Sequence, residues 1–254
     1  GMTTADAYRI LDANLNRARE AVRVIEEYAR FVLDDRAAAE RVKPLRHALR
    51  AIVADLGPER LLLARDIVND VGRDRKTADE LKRASLSDVF SAAFARLGEA
   101  ARALDEYGKL ISPAAAARAE RLRYESYEIQ QMLVLRGELR KRFREGRLYV
   151  LITEALCRPD WFDVARADLP GGADCLQLRE KSLPDRALLR RAERLRQLTL
   201  DAGALLIVND RPDVARLSVA DGVHVGQEDL SVAAARRIVG PDALVGKSTH
   251  TPEE

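Results

Sequence analysis

The stretch RGELRKRFREGRLYVLIT, residues 136–153, is where the grammar of the chain changes. Before it, apolar residues recur every three or four positions. After it, short apolar runs end at glycine, proline or aspartate. Residues 136–147 read as a basic helix tail and linker, a charge run of the kind that lies on a solvated face. Residues 148–153 read as a first strand.

Upstream of this joint, Ala18, Ala21, Val22, Ile25, Ala29 and Val32 have the spacing of an amphipathic helix. Helices are predicted over 4–34, 37–56, 59–69, 79–83, 86–111 and 113–144. Breaks fall at Gly57-Pro58, at Gly72 and at Ser112-Pro113, where proline suits a first turn. Residues 4–144 are therefore expected to form an all-α bundle. The bundle also repeats itself: RAREAVRVIEEYA at 17–29 and RLGEAARALDEYG at 96–108 agree at six of thirteen positions, an offset of 79 residues. Arg17 falls on Arg96, Glu20 on Glu99, Arg23 on Arg102, Glu27 on Glu106 and Tyr28 on Tyr107.

Downstream, LYVLIT (148–153), DCLQLRE (174–180), ALLIVND (204–210), GVHVG (222–226) and ALVGKST (243–249) read as strands. Helical stretches such as 185–203 and 231–240 lie between them. This alternation predicts a parallel sheet, either a barrel or a doubly wound fold. Thr251, Pro252, Glu253 and Glu254 look like the cap and first turn of another helix. The β/α domain, residues 147–254, is accordingly expected to be incomplete in this chain, with five strands present.

With 254 residues there is room for two domains, and 47% apolar with 33% charged residues fits a soluble globular protein. A net charge of +2 argues against nucleic acid or an anionic membrane as partner. No apolar run is long enough to span a bilayer, and GMTTADAY lacks the parts of a signal peptide. Cytoplasm is the expected address. The two cysteines, Cys157 and Cys175, do not have a zinc motif's spacing, and Cys175 reads as a buried thiol.

The polar residues of the second half cluster at the strand ends. Gln177, Arg179 and Lys181 end the second strand, and Asn209, Asp210 and Arg211 the third. His224, Gln227 and Asp229 follow the fourth, and Lys247, Ser248, Thr249 and His250 end the fifth. In parallel β/α folds ligands sit beyond these ends. Arg179 and Lys181 can hold phosphate oxygens, while Asp210 and Asp229 can hold a hard cation. A Mg²⁺-diphosphate pocket is one reading; solvated strand-end charges are the other. No Ser–His–Asp arrangement, Gly-rich dinucleotide loop or Walker loop is present.

In the helical half, Glu20, Arg23 and Glu27, like Glu99, Arg102 and Glu106, step by three and four along one helix face. They make either ordinary ion pairs toward solvent or two faces that meet about a pseudo-twofold axis. The loop ARDIVNDVGRD (64–74) brings Asp66, Asp70 and Asp74 near Arg65 and Arg73, able to hold metal and phosphate or merely to connect.

Together QLREK (177–181), VNDR (208–211), ADGVHVGQEDL (220–230) and GKSTH (246–250) resemble the motif series of thiamine-phosphate synthase, over residues 147–254. The resemblance implies a (β/α)₈ barrel that joins 4-amino-2-methyl-5-pyrimidinylmethyl diphosphate to thiazole phosphate. It implies Asp210 and Asp229 as Mg²⁺ ligands, and Gln177, Arg179, Lys181, Asn209 and Ser248 around the diphosphate and pyrimidine. It further implies later strands carrying a lysine and the thiazole-phosphate site, so residues 1–254 alone are not expected to turn over.

The first half is similar to the small helical hydroxymethylpyrimidine-phosphate kinases, found alone or fused ahead of the synthase. ILDANLNRAREAVRVIEEYARF (10–31), RDIVNDVGRD (65–74) and FARLGEAARALDEYGKL (94–110) carry that likeness. It implies transfer of the ATP γ-phosphoryl to the pyrimidine monophosphate. Residue type and periodicity then put Glu20, Glu27, Glu99 or Glu106 and Asp70 in metal or base roles, and Arg17, Arg23, Arg73 and Arg102 on phosphates. The second copy departs by having Ala93 in place of Asn14. A synthase whose helical half is a non-catalytic dimerisation module, making a homo-oligomer, is the alternative. A phosphate-binding barrel of another pathway is a third reading.

Overall fold

Thr3 opens the first helix with a capping box: its hydroxyl accepts the Asp6 N–H at 3.3 Å, and the Asp6 carboxylate accepts the Thr3 N–H at 2.7 Å. The helix is α1 (Thr4–Glu27), continued by a π-helical turn, Tyr28–Val32. The computed structural model describes residues 3–64 and 84–251. Helices α2 (Arg36–Leu56), α3 (Pro58–Ala64), α4 (Leu86–Gly108) and α5 (Pro113–Glu145) follow. Asp35 caps α2 through the Ala38 N–H at 3.0 Å, and Ser85 caps α4 through the Asp88 N–H at 3.1 Å. The predicted helix at 79–83, and residues 65–69 of the one at 59–69, lie outside the described residues.

The chain divides into two units, Gly1–Leu133 and Val134–Glu254, so the division falls within α5. In the first unit α1 and α4 pack through their apolar stripes. Leu11 and Phe90, Leu15 and Phe94, Ala18 and Leu97, Ala21 and Ala100, and Ile25 and Leu104 are pairs at the 79-residue offset, and every member is buried. Each fully buried Leu, Ile or Phe contributes about 1.5–3 kcal/mol, so this seam and the α5 stripe Ala115, Ala119, Leu122, Ile129 and Leu133 hold the bundle together.

In the second unit the Asp174 carboxylate accepts the N–H groups of Arg147 (2.7 Å) and Leu148 (3.0 Å), turning the chain from α5 into β1. These backbone bonds hold the Asp174 carboxyl below its usual range. Strands β1 (Tyr149–Ile152), β2 (Cys175–Leu178), β3 (Leu205–Asn209), β4 (Gly222–Val225) and β5 (Leu244–Lys247) are all parallel and lie in sequence order. Helices α6 (Trp161–Asp168), α7 (Asp185–Ala202), α8 (Pro212–Leu217) and α9 (Val232–Val239) fill the crossovers. This is the repeat of a TIM-like β/α fold.

Strand alternation separates the faces. Ile152, Leu176, Leu178, Leu206, Val208, Val223 and Val225 pack on the helices. Cys175, Leu205 and Ile207 line the other face, covered at its base by Leu139 of α5. Both cysteines are free and buried, and burial pushes the Cys175 thiol up to about 12. No helix among the described residues is long and apolar enough to cross a membrane.

Candidate active site

The face of the sheet that carries Cys175, Leu205 and Ile207 becomes polar toward the strands' C-terminal ends. Gln177 is buried there and donates from Nε2 to the Tyr149 hydroxyl at 2.7 Å. Desolvation raises that phenol to about 12, so it stays protonated. Arg179 follows on the same face by alternation. Its backbone is pinned to β1 from both sides: its N–H donates to the Ile152 carbonyl at 2.9 Å, and its carbonyl accepts the Thr153 hydroxyl at 2.8 Å.

Asn209 ends β3, buried, with its Nδ2 lacking an acceptor. The next residue, Asp210, has φ of 61°, a left-handed conformation that aspartate tolerates better than most residues. Its N–H donates to the His224 carbonyl at 2.7 Å. This turn aims the Asp210 carboxylate at the Lys181 ammonium, with which it is paired, and at the Asp229 side chain. Burial raises the Asp210 carboxyl, but the bonds to Lys181 and Asp229 and the charge of Arg179 outweigh it and hold it below the usual range. Asp229 is itself oriented by accepting the Gly226 N–H at 2.7 Å.

His224 and Ser248 join across β4 and β5, with His224 Nε2 and Ser248 Oγ 2.9 Å apart. Gly246 lies opposite His224 in the ladder, and a Cβ there would stand 2.6 Å from His224 Nδ1. Glycine at 246 is thus what lets the imidazole lie across the strand. Gly246→Ala is expected to break the His224–Ser248 bond, worth about 1 kcal/mol, and to shift the His224 ring resonances. Unchanged resonances in that variant would contradict the geometry.

Behind the pocket, Glu180 points the other way from Arg179 and Lys181. Its Oε1 accepts Arg191 Nη1 at 2.7 Å and the Glu154 N–H at 2.8 Å. Arg191 also donates to Glu154 at 3.1 Å and lies 4.3 Å from the Trp161 ring centroid. Arg211, next to Asp210 in sequence, bonds Asp185 and Asp213 at 2.7 Å each and so ties α7 to α8.

The structure thus brings Lys181, Asp210 and Asp229 together, with Gln177, Asn209 and Ser248 on the adjoining strand ends. Sequence reasoning gave no role to His224, Tyr149 or Glu180; strand alternation within QLREK would have separated Glu180 from its neighbours. Two adjacent carboxylates with an ammonium beside them suit a hard, water-retaining cation such as Mg²⁺, which takes few protein ligands. Among the described residues no third Asp, Glu, His or Cys joins them.

In the helical unit the charged stripes face solvent. Arg23 pairs with Glu27 at 3.2 Å and Arg102 with Glu106 at 3.0 Å, each within its own helix, and Arg17 is exposed. The arrangement in which the two charged faces close on each other is not adopted. The apolar stripes meet instead, because desolvating charges costs more than pairing them returns. The carboxylates drawn inward are one position earlier, Asp105 buried and Glu26 partly so. Glu26 reaches Arg46 at 2.6 Å, and Asp105, its match in α4, lies 3.3 Å from Lys109. Sequence reasoning missed both, and missed buried Asp12. Asn14 is buried and bonds the Ile10 carbonyl at 2.9 Å, while Ala93 fills the corresponding place in α4. Asp70 and Arg73 lie outside the described residues. The second stripe borders an open surface depression lined by Glu99, Arg102, Glu106, Tyr107, Arg123 and Tyr127.

Parallel β/α units in sequence order, with cations and carboxylates gathered at their strand ends, define a protein of the TIM-like class. Residues 148–254 match the family model described as thiamine monophosphate synthase, and residues 9–132 match the ThiD2 family. The thiamine-phosphate synthase of Gloeobacter violaceus is 45% identical over 246 residues, covering 97% of this chain and 70% of the relative. That of Rhodopirellula baltica is 43% identical over 263 residues, covering 100% of this chain and 69% of the relative. The solved thiamine phosphate pyrophosphorylase of Pyrococcus furiosus is 38% identical, covering 42% of this chain and 52% of its own, with a TM-score of 0.40. The chain belongs to the thiamine-phosphate synthase family, transferases of thiamine biosynthesis, and carries a ThiD2-type part ahead of the synthase part.

Proposed function

We propose that the β/α unit binds pyrimidinylmethyl diphosphate for coupling to thiazole phosphate, and that the helical unit makes that diphosphate from the monophosphate and ATP. The observation that carries the first half is the Lys181–Asp210–Asp229 cluster beside the acceptor-less Asn209 Nδ2. Arg179 and Lys181 hold the leaving diphosphate. Gln177, Asn209 and Ser248 fix the pyrimidine, and Asn209 gains the acceptor it lacks. Asp210 and Asp229 would hold Mg²⁺, whose part is to neutralise diphosphate charge. As the C–O bond breaks, the residues around the pyrimidine keep water from the carbon until the thiazole nitrogen captures it. The sheet is read as five consecutive strands of a (β/α)₈ barrel, with domains at 4–144 and 147–254 in a cytoplasmic enzyme.

For the helical unit, the family likeness of residues 9–132 supports phosphoryl transfer. Such transfer depends on positioned phosphates and charge neutralisation rather than a protein nucleophile. Arg17, Arg23 and Arg102 on the two helix copies, with Arg73 from the segment between them, serve the phosphates, and Glu27 and Glu106 on the copies, with Asp70 between them, serve metal or base roles. The double variant Arg23→Ala/Arg102→Ala is expected to lose at least about a hundredfold in ADP formation with Mg-ATP and pyrimidine monophosphate. Full activity in that variant would remove these arginines from the site. A parent chain that forms no ADP but sediments as a dimer would favour the interaction-module reading instead.

A further inference from the structure

Asp210 faces two rival cations, one built into the chain and one from solution. The Lys181 ammonium is paired with Asp210 Oδ2, on the same carboxylate that would hold Mg²⁺. Asp229 lies beside it, oriented by the Gly226 N–H at 2.7 Å. Two carboxylates this close repel each other unless a positive charge sits with them. Lys181 supplies that charge from within the chain.

The two ends of the contact differ in freedom. Asp210 is fixed by its N–H bond to the His224 carbonyl at 2.7 Å, and its side chain is 20% exposed against 58% for Lys181. The residues just before Lys181 are anchored as well. Arg179 is held by its backbone bonds to β1, and Glu180 by Arg191 and the Glu154 N–H. Movement here therefore belongs to the lysine's four-carbon stem, a flexible carrier of a compact charge. The carboxylate stays and the ammonium can leave.

What its leaving costs depends on what arrives. A divalent cation alone repels the ammonium from Asp210 and offers it no new partner. Diphosphate alone meets two carboxylates and an ammonium already in use. When both arrive, the cation takes the carboxylates and the ammonium takes diphosphate oxygens, so every charge ends paired.

We propose that Lys181 stands in for the metal at Asp210, and exchanges that carboxylate for diphosphate when cation and diphosphate bind together. The site then selects the metal–diphosphate complex over either ion alone. The proposal rests on the diphosphate reading of the β/α unit and adds a second role for Lys181 within it.

The test uses the whole chain and Mn²⁺, an oxygen-seeking substitute for Mg²⁺. Binding of Mn²⁺ alone is followed by the paramagnetic resonance of the unbound ion, and binding of preformed Mn²⁺–diphosphate by calorimetry. Only binding that Asp210→Asn abolishes is counted, which sets aside any ion held by the helical unit. Lys181→Met keeps most of the stem and removes the charge. It is expected to bind Mn²⁺ alone about tenfold more tightly than the parent, and the complex about tenfold more weakly. Lys181→Arg, which keeps the charge, should bind Mn²⁺ alone as weakly as the parent does. Affinity for Mn²⁺ alone that is unchanged or lowered in Lys181→Met would overturn the exchange, while weaker binding of the complex in the same variant would leave the diphosphate reading standing. Equal binding of the complex by the parent, Lys181→Met and Asp210→Asn would remove both.

Discussion

Asp210→Asn is expected to reduce the Mg²⁺-dependent affinity for diphosphate by about a hundredfold, or roughly 2.7 kcal/mol. Asparagine keeps the shape and tolerates the left-handed backbone at φ of 61°, so the change removes charge and little else. The lost charge is one of two carboxylates that would face the cation, and it is the partner of Lys181. Folding should be nearly untouched, because the Lys181 side chain is 58% exposed and such a surface pair contributes about 0–1 kcal/mol. The Asp210 carboxyl lies below its ordinary value of 3.8, so its pairing stabilises the fold above that pH and fades as pH falls through the lower folded value. The difference between parent and variant should therefore persist at pH 5. Equal affinities in calorimetric titrations with Mg²⁺ would take Asp210 out of the site.

Glu180→Ala should have the opposite signature, a large loss of stability. Glu180 and Arg191 are 9% and 11% exposed, and removing one member of such a pair leaves a desolvated charge. The expected cost is about 3 kcal/mol, read from the urea midpoint of the second unit. Glu180 also receives the Glu154 N–H, so the loop after β1 loses its tie to the end of β2. Arg179 and Lys181 sit on either side of this residue, so diphosphate affinity should fall as well. Glu180→Gln, which can still accept one hydrogen bond, should recover part of both losses. An unchanged urea midpoint in Glu180→Ala would show that Arg191 is satisfied by Glu154 and Trp161 alone.

The β/α half was largely legible because its signals are local. Each strand is an apolar run closed by a turn residue, and all five observed strands fall inside the predicted segments. Helix α8, at 6 residues, is too short to show a period. The strand-end polar residues were visible as types, but their partners were not. The Ser248 bond to His224 spans 24 residues and depends on register, which only the assembled ladder sets. In the helical half, the repeated arginines and glutamates stood out because they repeat, yet periodicity cannot say which side of a stripe is dry. Glu26 and Asp105 are drawn inward by Arg46, Arg102 and Lys109, and the Glu26–Arg46 contact joins two helices. Asn14 and Ala93 are both buried, so this polar difference between the copies lies in the packed seam rather than on the charged face.

In the proposed scheme the helical unit would make a pyrimidine diphosphate and the β/α unit would hold it. Phosphorus NMR of residues 1–254 with Mg-ATP and hydroxymethylpyrimidine monophosphate tests that scheme most directly. It predicts loss of the monophosphate signal, growth of a new pair of diphosphate resonances beside those of ADP, and broadening of that new pair on the parent but not on Asp210→Asn. An unchanged monophosphate signal with ATP intact would contradict it.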